Sequence, residues 1–199
     1  MDKNIKAFTA DIFKKGFEKS SKSFSNLSGE KVGIKKFELS LGKANDLMEK
    51  IFKNKNLYVL ITDVIGEAKG KSYLVLNHND AEEITGMLIR KMKNIENNDF
   101  YKEAILKEVD NVLAASVITE LSNELDLKIF GDVPKFIKPE EANQEWLRSE
   151  LELMNGTIAI YSSANFFFEA NLKISPSFIW ILDSDFNKAI NQKSKEYAT

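Results

Sequence analysis

The stretch that decides the fold is Ala104-Ile-Leu-Lys-Glu108-Val-Asp-Asn111-Val-Leu-Ala-Ala-Ser-Val-Ile-Thr-Glu-Leu-Ser122. Its apolar residues recur at the spacing of one helical face, which predicts an amphipathic helix. Glu108 and Asn111 are three residues apart, so this helix places a carboxylate and a carboxamide side by side on one surface. Further along the chain, twenty-two residues separate Asn111 from Pro134, one of only three prolines.

These residues resemble the signature helix of the CheC/CheX/FliY family, phosphatases that act on phosphorylated chemotaxis response regulators. The pattern of that family is Ser or Asp, three residues, Glu, two residues, Asn, twenty-two residues, Pro. Glu108, Asn111 and Pro134 fit this pattern, and Ala104 stands where Ser or Asp is expected. The resemblance covers nearly the whole chain, whose 199 residues are closer to the duplicated CheC members than to the shorter CheX ones.

The resemblance implies a catalytic role for each of the two polar helix residues. Asn111 would position a water molecule for in-line attack on the aspartyl phosphate of a CheY-like response regulator, because a carboxamide both accepts and donates hydrogen bonds. Glu108 would form an ion pair with the active-site lysine of the receiver domain. Mg²⁺ would be bound by that partner, so we expect no cofactor and no metal site on this chain.

Three further residues of the helix are assigned to partner binding: Ala104, Lys107 and Ala115. The methyl group of Ala104 cannot form the hydrogen bond that a hydroxyl or carboxylate would form, which predicts docking weaker by about 1–3 kcal/mol or a slower rate. Asp110 replaces the glycine that is common in the family. It points about 100° away from Asn111 around the helix, so it need not block docking.

The composition excludes several classes of function. With 43% hydrophobic residues, 29% charged residues and a net charge of −2, the chain is typical of a globular protein without a basic face for nucleic acid. No apolar run approaches the roughly 20 residues that span a bilayer, and the N-terminus lacks a secretory pattern. Without cysteine there is no disulfide, thiolate nucleophile or cysteine-based zinc site. We expect a cytoplasmic protein with no nucleic-acid or membrane partner.

Helices and strands follow in a similar order in both halves of the chain. The first half predicts a helix at 6–26, a strand at 31–41, a short helix at 44–52, strands at 57–64 and 72–76, and a helix capped by Asn79 or Asp80 that runs through Met92. The second half predicts a helix at 99–125, a strand at 127–137, a helix at 140–154 with Trp146 and Leu147 inward, strands at 157–162 with 166–172 and at 177–182, a helix after Asp183, and a polar tail at 192–199. Pro134 is assigned a structural role, because a proline at a strand edge stops ladder pairing.

We interpret the repeated order as a tandem duplication within one domain, residues 1–199, with repeats at about 5–98 and 99–192. The repeats align through Ser25 and Ser122, which are 97 positions apart. The predicted fold is α/β of the α+β type, with a mostly antiparallel sheet shared by both repeats and two long helices. The resemblance implies the same pseudo-twofold arrangement.

The same alignment tests whether the first repeat has a site of its own. It puts Asp11 opposite Glu108 and Lys14 opposite Asn111. An ammonium group has no acceptor oxygen, so Lys14 cannot orient an attacking water as an amide would. We interpret the first site as lost.

Three functions remain open from the sequence. Retention of both Glu108 and Asn111 favours a phosphatase. Ala104 and the lost first site favour an interaction module that binds a receiver domain or another signalling protein without chemistry. A dimeric scaffold that pairs exposed sheet edges is the third, so the chain is expected to be a monomer or a homodimer.

Two other features have simpler structural interpretations. His78, the only histidine, is predicted to be an exposed residue in a strand-to-helix turn, since no second histidine or cysteine could complete a metal site. In Phe166-Phe-Phe168, strand alternation predicts that Phe166 and Phe168 are buried in the core and that one phenylalanine faces the other side.

Overall fold

The computed structural model describes residues 3–43, 46–47, 51, 57–92, 99–152, 158–169 and 171–197. The helices are α1 (Lys3–Ser28), α2 (His78–Lys91), α3 (Asp99–Leu125), α4 (Gln144–Glu152) and α5 (Ser184–Tyr197). The strands are β1 (Val32–Gly42), β2 (Tyr58–Gly66), β3 (Gly70–Leu76), β4 (Ile129–Gly131), β5 (Lys135–Ile137), β6 (Ile158–Phe168), β7 (Lys173–Ile174) and β8 (Ser177–Leu182). Of these helices, none is long and apolar enough to cross a membrane.

The strands form one sheet in which every pairing between them is antiparallel. Its order is β1-β6-β8-β3-β2-β4, with β5 also paired to β2 and β7 to β6. β1, the first strand of the first half, pairs with β6 of the second half, and β4, the first strand of the second half, pairs with β2 of the first half. The order is therefore symmetric: exchanging β1 with β4, β2 with β6 and β3 with β8 gives the same order read from the opposite edge. The predicted fold class, with a mostly antiparallel sheet and two long helices, is confirmed. The tandem duplication stays a prediction, with which this order is consistent.

The two long helices, α1 and α3, cross closely in an antiparallel arrangement. A Cβ atom added to Gly16 would lie only 2.8 Å from the Cα atom of Val117. Ser20 donates a hydrogen bond from its hydroxyl to the Leu113 carbonyl at 3.3 Å. In the alignment of the two repeats, which are offset by 97 positions, Gly16 corresponds to Leu113 and Ser20 corresponds to Val117. The contact between Gly16 and Val117 is therefore equivalent to the contact between Leu113 and Ser20. The crossing therefore depends on a small residue in α1.

Apolar side chains cover both faces of the sheet. The larger core lies between one face and the helices, and its largest fully buried side chains include Phe13, Phe17, Phe24, Phe166, Phe178 and Trp180. A smaller cluster on the other face includes Leu47, Ile51, Val59, Tyr73 and Ile179. Trp146 of α4 packs against the smaller cluster, as predicted, and the Leu147 side chain is outside the described residues.

The phenylalanine run confirms the predicted burial of Phe166 and Phe168 and lies at the end of a strand that is shorter than predicted. Phe166 and Phe168 are buried, and the Phe167 ring lies on the opposite face, 4.7 Å from the Lys35 ammonium and 5.7 Å from that of Lys173. The strand predicted over 157–162 with 166–172 forms as β6, but it ends at Phe168, four residues earlier than predicted. β6 continues without a break through Phe168, because it pairs with β1 along nearly its whole length.

Two predicted elements of the second half are shorter than expected. A single strand at 127–137 is wrong, since β4 and β5 are separated by residues 132–134, which include Pro134. Pro134 has no N–H to donate to a strand ladder. The last backbone hydrogen bond before it is donated by the Asp132 N–H to the Asp63 carbonyl at 2.8 Å. The helix predicted at 140–154 begins at Gln144, because residues 139–141 form a turn and the Asn143 side chain accepts from the Trp146 N–H at 2.8 Å.

Helix ends account for the remaining differences. Asn77 caps α2, rather than Asn79 or Asp80, and its side chain accepts from the Asp80 N–H at 2.8 Å. His78 is exposed as predicted, although it is the first residue of the helix rather than part of a turn.

The first six residues of the polar tail predicted at 192–199 belong to the last helix. α5 extends through Tyr197, with Ser194 buried and the Tyr197 ring centroid 5.4 Å from that of Phe8. This packing against α1 accounts for the longer helix. The short helix predicted at 44–52 lies mostly outside the described residues.

Candidate functional site

Helix α3 has one buried face and one exposed face. Its buried apolar residues include Ile105, Leu106, Val109, Leu113, Val117 and Leu121. Five of its exposed residues recur every three or four positions: Ala104, Glu108, Asn111, Ala115 and Thr119. We call these five residues the α3 stripe. The structure thus brings four of the predicted site residues to one surface, and Lys107 lies beside them, half-buried.

Glu108 and Asn111 have no hydrogen-bond or ion-pair partner for their side chains among the described residues. Lys107 differs, since its ammonium lies 2.6 Å from the Glu103 carboxylate one turn earlier. An acceptor-only carboxylate and an amide that both donates and accepts are therefore free to engage a second molecule.

Asp110 lies on the other side of the same helical turn and is completely buried. Its Oδ2 atom accepts a hydrogen bond of 2.6 Å from the Thr62 hydroxyl of β2, and its Oδ1 atom has no partner among the described residues. Burial raises the pKa of Asp110 from 3.8 to about 7, and the Thr62 hydrogen bond opposes that shift. A titratable group therefore lies directly behind the exposed amide.

The burial of Asp110 was missed by the sequence interpretation, which considered only its direction relative to Asn111. A signal was available. Leu106, Leu113 and Val117 fall four positions before, three after and seven after Asp110, so the carboxylate is in phase with the apolar face. Its hydrogen-bond partner could not be inferred, because Thr62 is 48 positions away in a strand whose register depends on the folded sheet.

Pro134 does not lie on the α3 stripe. It is buried between β4 and β5, in the segment that follows the contact between Gly131 and α3. A Cβ atom at Gly131 would lie 3.1 Å from the Ile118 Cδ1 atom, so this segment packs closely on the helix. The structural role assigned to Pro134 stays a prediction, and nothing in its position adds a polar group to Glu108 and Asn111.

Helix α1 does not present the same pair of groups. Asp11 is half-buried and its carboxylate lies 2.9 Å from the Lys15 ammonium. Lys15 also contacts Glu124 of α3 at 2.8 Å, and these two carboxylates raise the pKa of Lys15. Lys14 is exposed. The carboxylate that aligns with Glu108 is thus engaged within the chain.

The α3 stripe is a helix surface rather than a pocket. A cavity of about 500 Å³ is lined by Glu82, Glu83, Met87, Arg90, Asn171 and Leu172, and one of about 220 Å³ by Lys14, Phe17, Glu18, Ser21, Ile34, Lys36 and Phe37. Neither cavity includes a residue of the stripe. The described residues also hold no group of three or more His, Cys, Asp or Glu side chains that could bind a metal ion. An exposed helix face suits a protein partner better than a small ligand, which is usually bound in a concave site.

The arrangement of helices and sheet is similar to that of a solved structure of FliY from Thermotoga maritima. The TM-score is 0.74 at 15% sequence identity, and the likeness covers 98% of each chain. The chain has the fold of the CheC/CheX/FliY family. The resemblance that the α3 residues indicated is thereby confirmed at the level of the fold.

Other solved structures that share this fold include a FliM domain and a CheX protein. The FliM middle domain from H. pylori has a TM-score of 0.64 at 13% identity, over 97% of this chain and 99% of that one. The chemotaxis protein CheX from Desulfovibrio desulfuricans has a TM-score of 0.53 at 12% identity, over 87% of this chain and 99% of that one. No protein-family model and no curated protein matches the chain by sequence.

Proposed function

We propose that this protein hydrolyses the aspartyl phosphate of a CheY-like response regulator in chemotaxis or a related two-component pathway. The observation that carries the proposal is that Glu108 and Asn111 lie together, exposed, on one face of α3 in a fold shared with FliY and CheX. Their side chains have no hydrogen-bond or ion-pair partner in the described part of the chain. The reaction would take place in the cytoplasm, where the receiver domain would supply Mg²⁺ and a lysine to the phosphoryl oxygens.

Asn111 is the residue to which the proposal assigns the chemistry. Its amide would hold a water molecule in line with the leaving carboxylate, and positioning is the main contribution that a phosphoryl-transfer catalyst makes. The water oxygen bonds to phosphorus while the bond to the aspartyl oxygen breaks. The receiver aspartate leaves as a carboxylate, inorganic phosphate is released, and the proton of the water passes to phosphate or solvent.

Glu108 would dock the helix rather than react. Its carboxylate lies one turn from Asn111, about 4.5 Å along the helix axis, and would pair with the receiver lysine. The neighbouring Lys107 is already paired with Glu103 and does not compete for Glu108. The ion pair forms only between molecules, so catalysis would require a docked complex.

A receiver-binding module without catalysis is the second candidate function. Ala104 lacks the polar group expected at that position, Asp11 is engaged with Lys15, and the same fold occurs in FliM, which forms a complex with FliG in H. pylori. In this second candidate function Glu108 still forms an ion pair with the receiver domain, but Asn111 does not position a water molecule for hydrolysis.

Phosphate release from a phosphorylated CheY-like receiver of the same organism, with and without this protein, separates the two. We expect faster release that falls at least about 100-fold toward the unassisted rate in Asn111→Ala, since loss of positioning has a cost of this size. Asn123→Ala is the matched control, because it removes an exposed asparagine from the same helix outside the stripe. Binding without faster release would instead support the interaction module.

A further inference from the structure

Phe100 is an unusually exposed aromatic residue at the start of α3. Its side chain is 76% exposed, more than any other large apolar residue that the structure describes. One edge-to-face contact with Tyr101, at 5.5 Å between ring centroids, holds the ring without burying it. Aromatic residues are enriched at protein interfaces, where burial of the ring contributes to affinity.

Phe100 lies on the same helical face as the α3 stripe. Positions 100, 104, 108, 111 and 115 fall within an arc of about 80° at 100° per residue. Along the axis, Phe100 lies about 12 Å from Glu108, at 1.5 Å per residue. Ala104 is between them, so no long side chain separates the ring from the carboxylate.

The charges near this surface leave Glu108 as the group that needs a partner. Lys102 pairs with Glu82 of α2 at 2.8 Å, and Lys107 pairs with Glu103 at 2.6 Å. Phe100 and the α3 stripe together therefore present an aromatic ring at one end and a carboxylate with an amide two turns later. A complementary partner has a cation facing Glu108 and an apolar patch about 12 Å from that cation.

We infer that Phe100 is the apolar anchor by which α3 docks on the receiver domain. The inference rests on the proposed function, because the receiver lysine is the cation assigned to Glu108. Ring burial in the complex takes the place of the polar contact that Ala104 cannot make. The anchor contributes to binding and not to the positioning of water, since Phe100 lies about 16 Å along the helix from Asn111.

The test measures the stimulated rate against receiver concentration, together with the Kd for the receiver held as its beryllofluoride–Mg²⁺ complex. For Phe100→Ala we expect KM and Kd to rise about tenfold or more, with kcat within about twofold of the wild type. Phe100→Leu, which keeps an apolar side chain, should restore most of the affinity. An unchanged thermal midpoint is expected for both variants, because the side chain is exposed.

Phe130→Ala is the matched control. Phe130 is 64% exposed, and it lies in β4 between Ile129 and Gly131, which face the helices, so strand alternation points it away from α3. Its removal should leave KM, kcat and Kd unchanged. Equal losses in both variants would overturn the inference in favour of a nonspecific apolar effect.

The remaining outcomes separate this inference from the proposed function. A Kd that Phe100→Ala leaves unchanged, or a fall in kcat at constant KM, overturns the anchor while the Asn111→Ala result still decides the phosphatase. If the wild type binds the receiver without speeding phosphate release, the phosphatase fails, and a Kd raised by Phe100→Ala still supports the anchor. Absence of binding, or a dimer that Phe100→Ala converts to a monomer in light scattering, overturns the anchor on a receiver.

Discussion

The Thr62 hydroxyl of β2 donates a hydrogen bond of 2.6 Å to the Asp110 carboxyl of α3. Asn111, the next residue, is exposed. The bond thus fixes α3 to the sheet one residue before the amide to which the proposed chemistry is assigned. Because the other carboxyl oxygen of Asp110 has no partner among the described residues, the buried group is stable mainly in its neutral form.

Asp110 should make the stability of this protein fall as pH rises. Its pKa in the folded state is about 7, against 3.8 for the exposed group, so the folded protein binds the proton more tightly than the unfolded chain does. The contribution of protonated Asp110 to the free energy of unfolding is complete below about pH 4. It is lost as pH rises through 7, by up to roughly 4 kcal/mol.

Asp110→Asn tests this dependence, because an amide cannot ionise and its oxygen can still accept from Thr62. Urea unfolding at pH 5, 6, 7 and 8 should show a decline in stability for the wild type that is much smaller in the variant. At pH 8 the variant should be the more stable of the two. Parallel curves for the two proteins would contradict the assignment of the pH dependence to Asp110.

The fold and the exposed face of α3 follow from local sequence, whereas Asp110 shows where such prediction ends. Period and spacing predicted the helix and placed Glu108 and Asn111 together, since a helix has a fixed rotation per residue. The environment of Asp110 depends on Thr62 in another strand, and the sheet register that brings them together is set by tertiary pairing. The sequence shows that Asp110 lies in phase with the apolar face of the helix, but it does not show that Thr62 is the hydrogen-bond partner.

The predicted ends of several helices and strands differ from the observed ones, and each difference has a physical reason at particular residues. Asn77 caps α2 because its side chain reaches the Asp80 N–H, whereas Asn79 and Asp80 are equally suitable by type. β6 continues through the polar Ser162 and Ser163 because β1 pairs across them. Residues 192–197 are polar in sequence, yet they remain helical where α5 packs against α1. The bounds of β6 and α5 thus depend on contacts distant in sequence, whereas the Asn77 cap is a contact between residues three positions apart.

Gly16 should be required for the crossing of α1 and α3. A Cβ atom there would lie 2.8 Å from the Val117 Cα atom and 3.0 Å from its Cγ2 atom, so Gly16→Ala must push the helices apart. We expect a loss of about 1–3 kcal/mol in the free energy of unfolding, despite the better helix propensity of alanine. Gly33→Ala is the control, because nothing lies within 4 Å of its added Cβ atom. Comparable urea midpoints for the two variants would contradict this account of the crossing.

Ala104→Ser should strengthen the docking surface by restoring the hydroxyl that the CheC/CheX/FliY pattern contains. Ala104 is exposed on the α3 stripe one turn before Glu108, so the change should leave stability within about 0.5 kcal/mol and act on the complex. One added hydrogen bond to the receiver would lower KM for phosphate release up to about tenfold. The effect on kcat should be small, because Asn111 is unaltered.

Ala7→Ser is the matched control for this prediction. Ala7 is exposed on α1 and lies 97 positions before Ala104, so it makes the same chemical change on the face whose carboxylate, Asp11, is already paired with Lys15. Kinetics of phosphate release should be altered by Ala104→Ser and not by Ala7→Ser. If both variants match the wild type, the methyl group at Ala104 is not what limits docking, and the partner then contacts the stripe nearer Glu108 and Asn111.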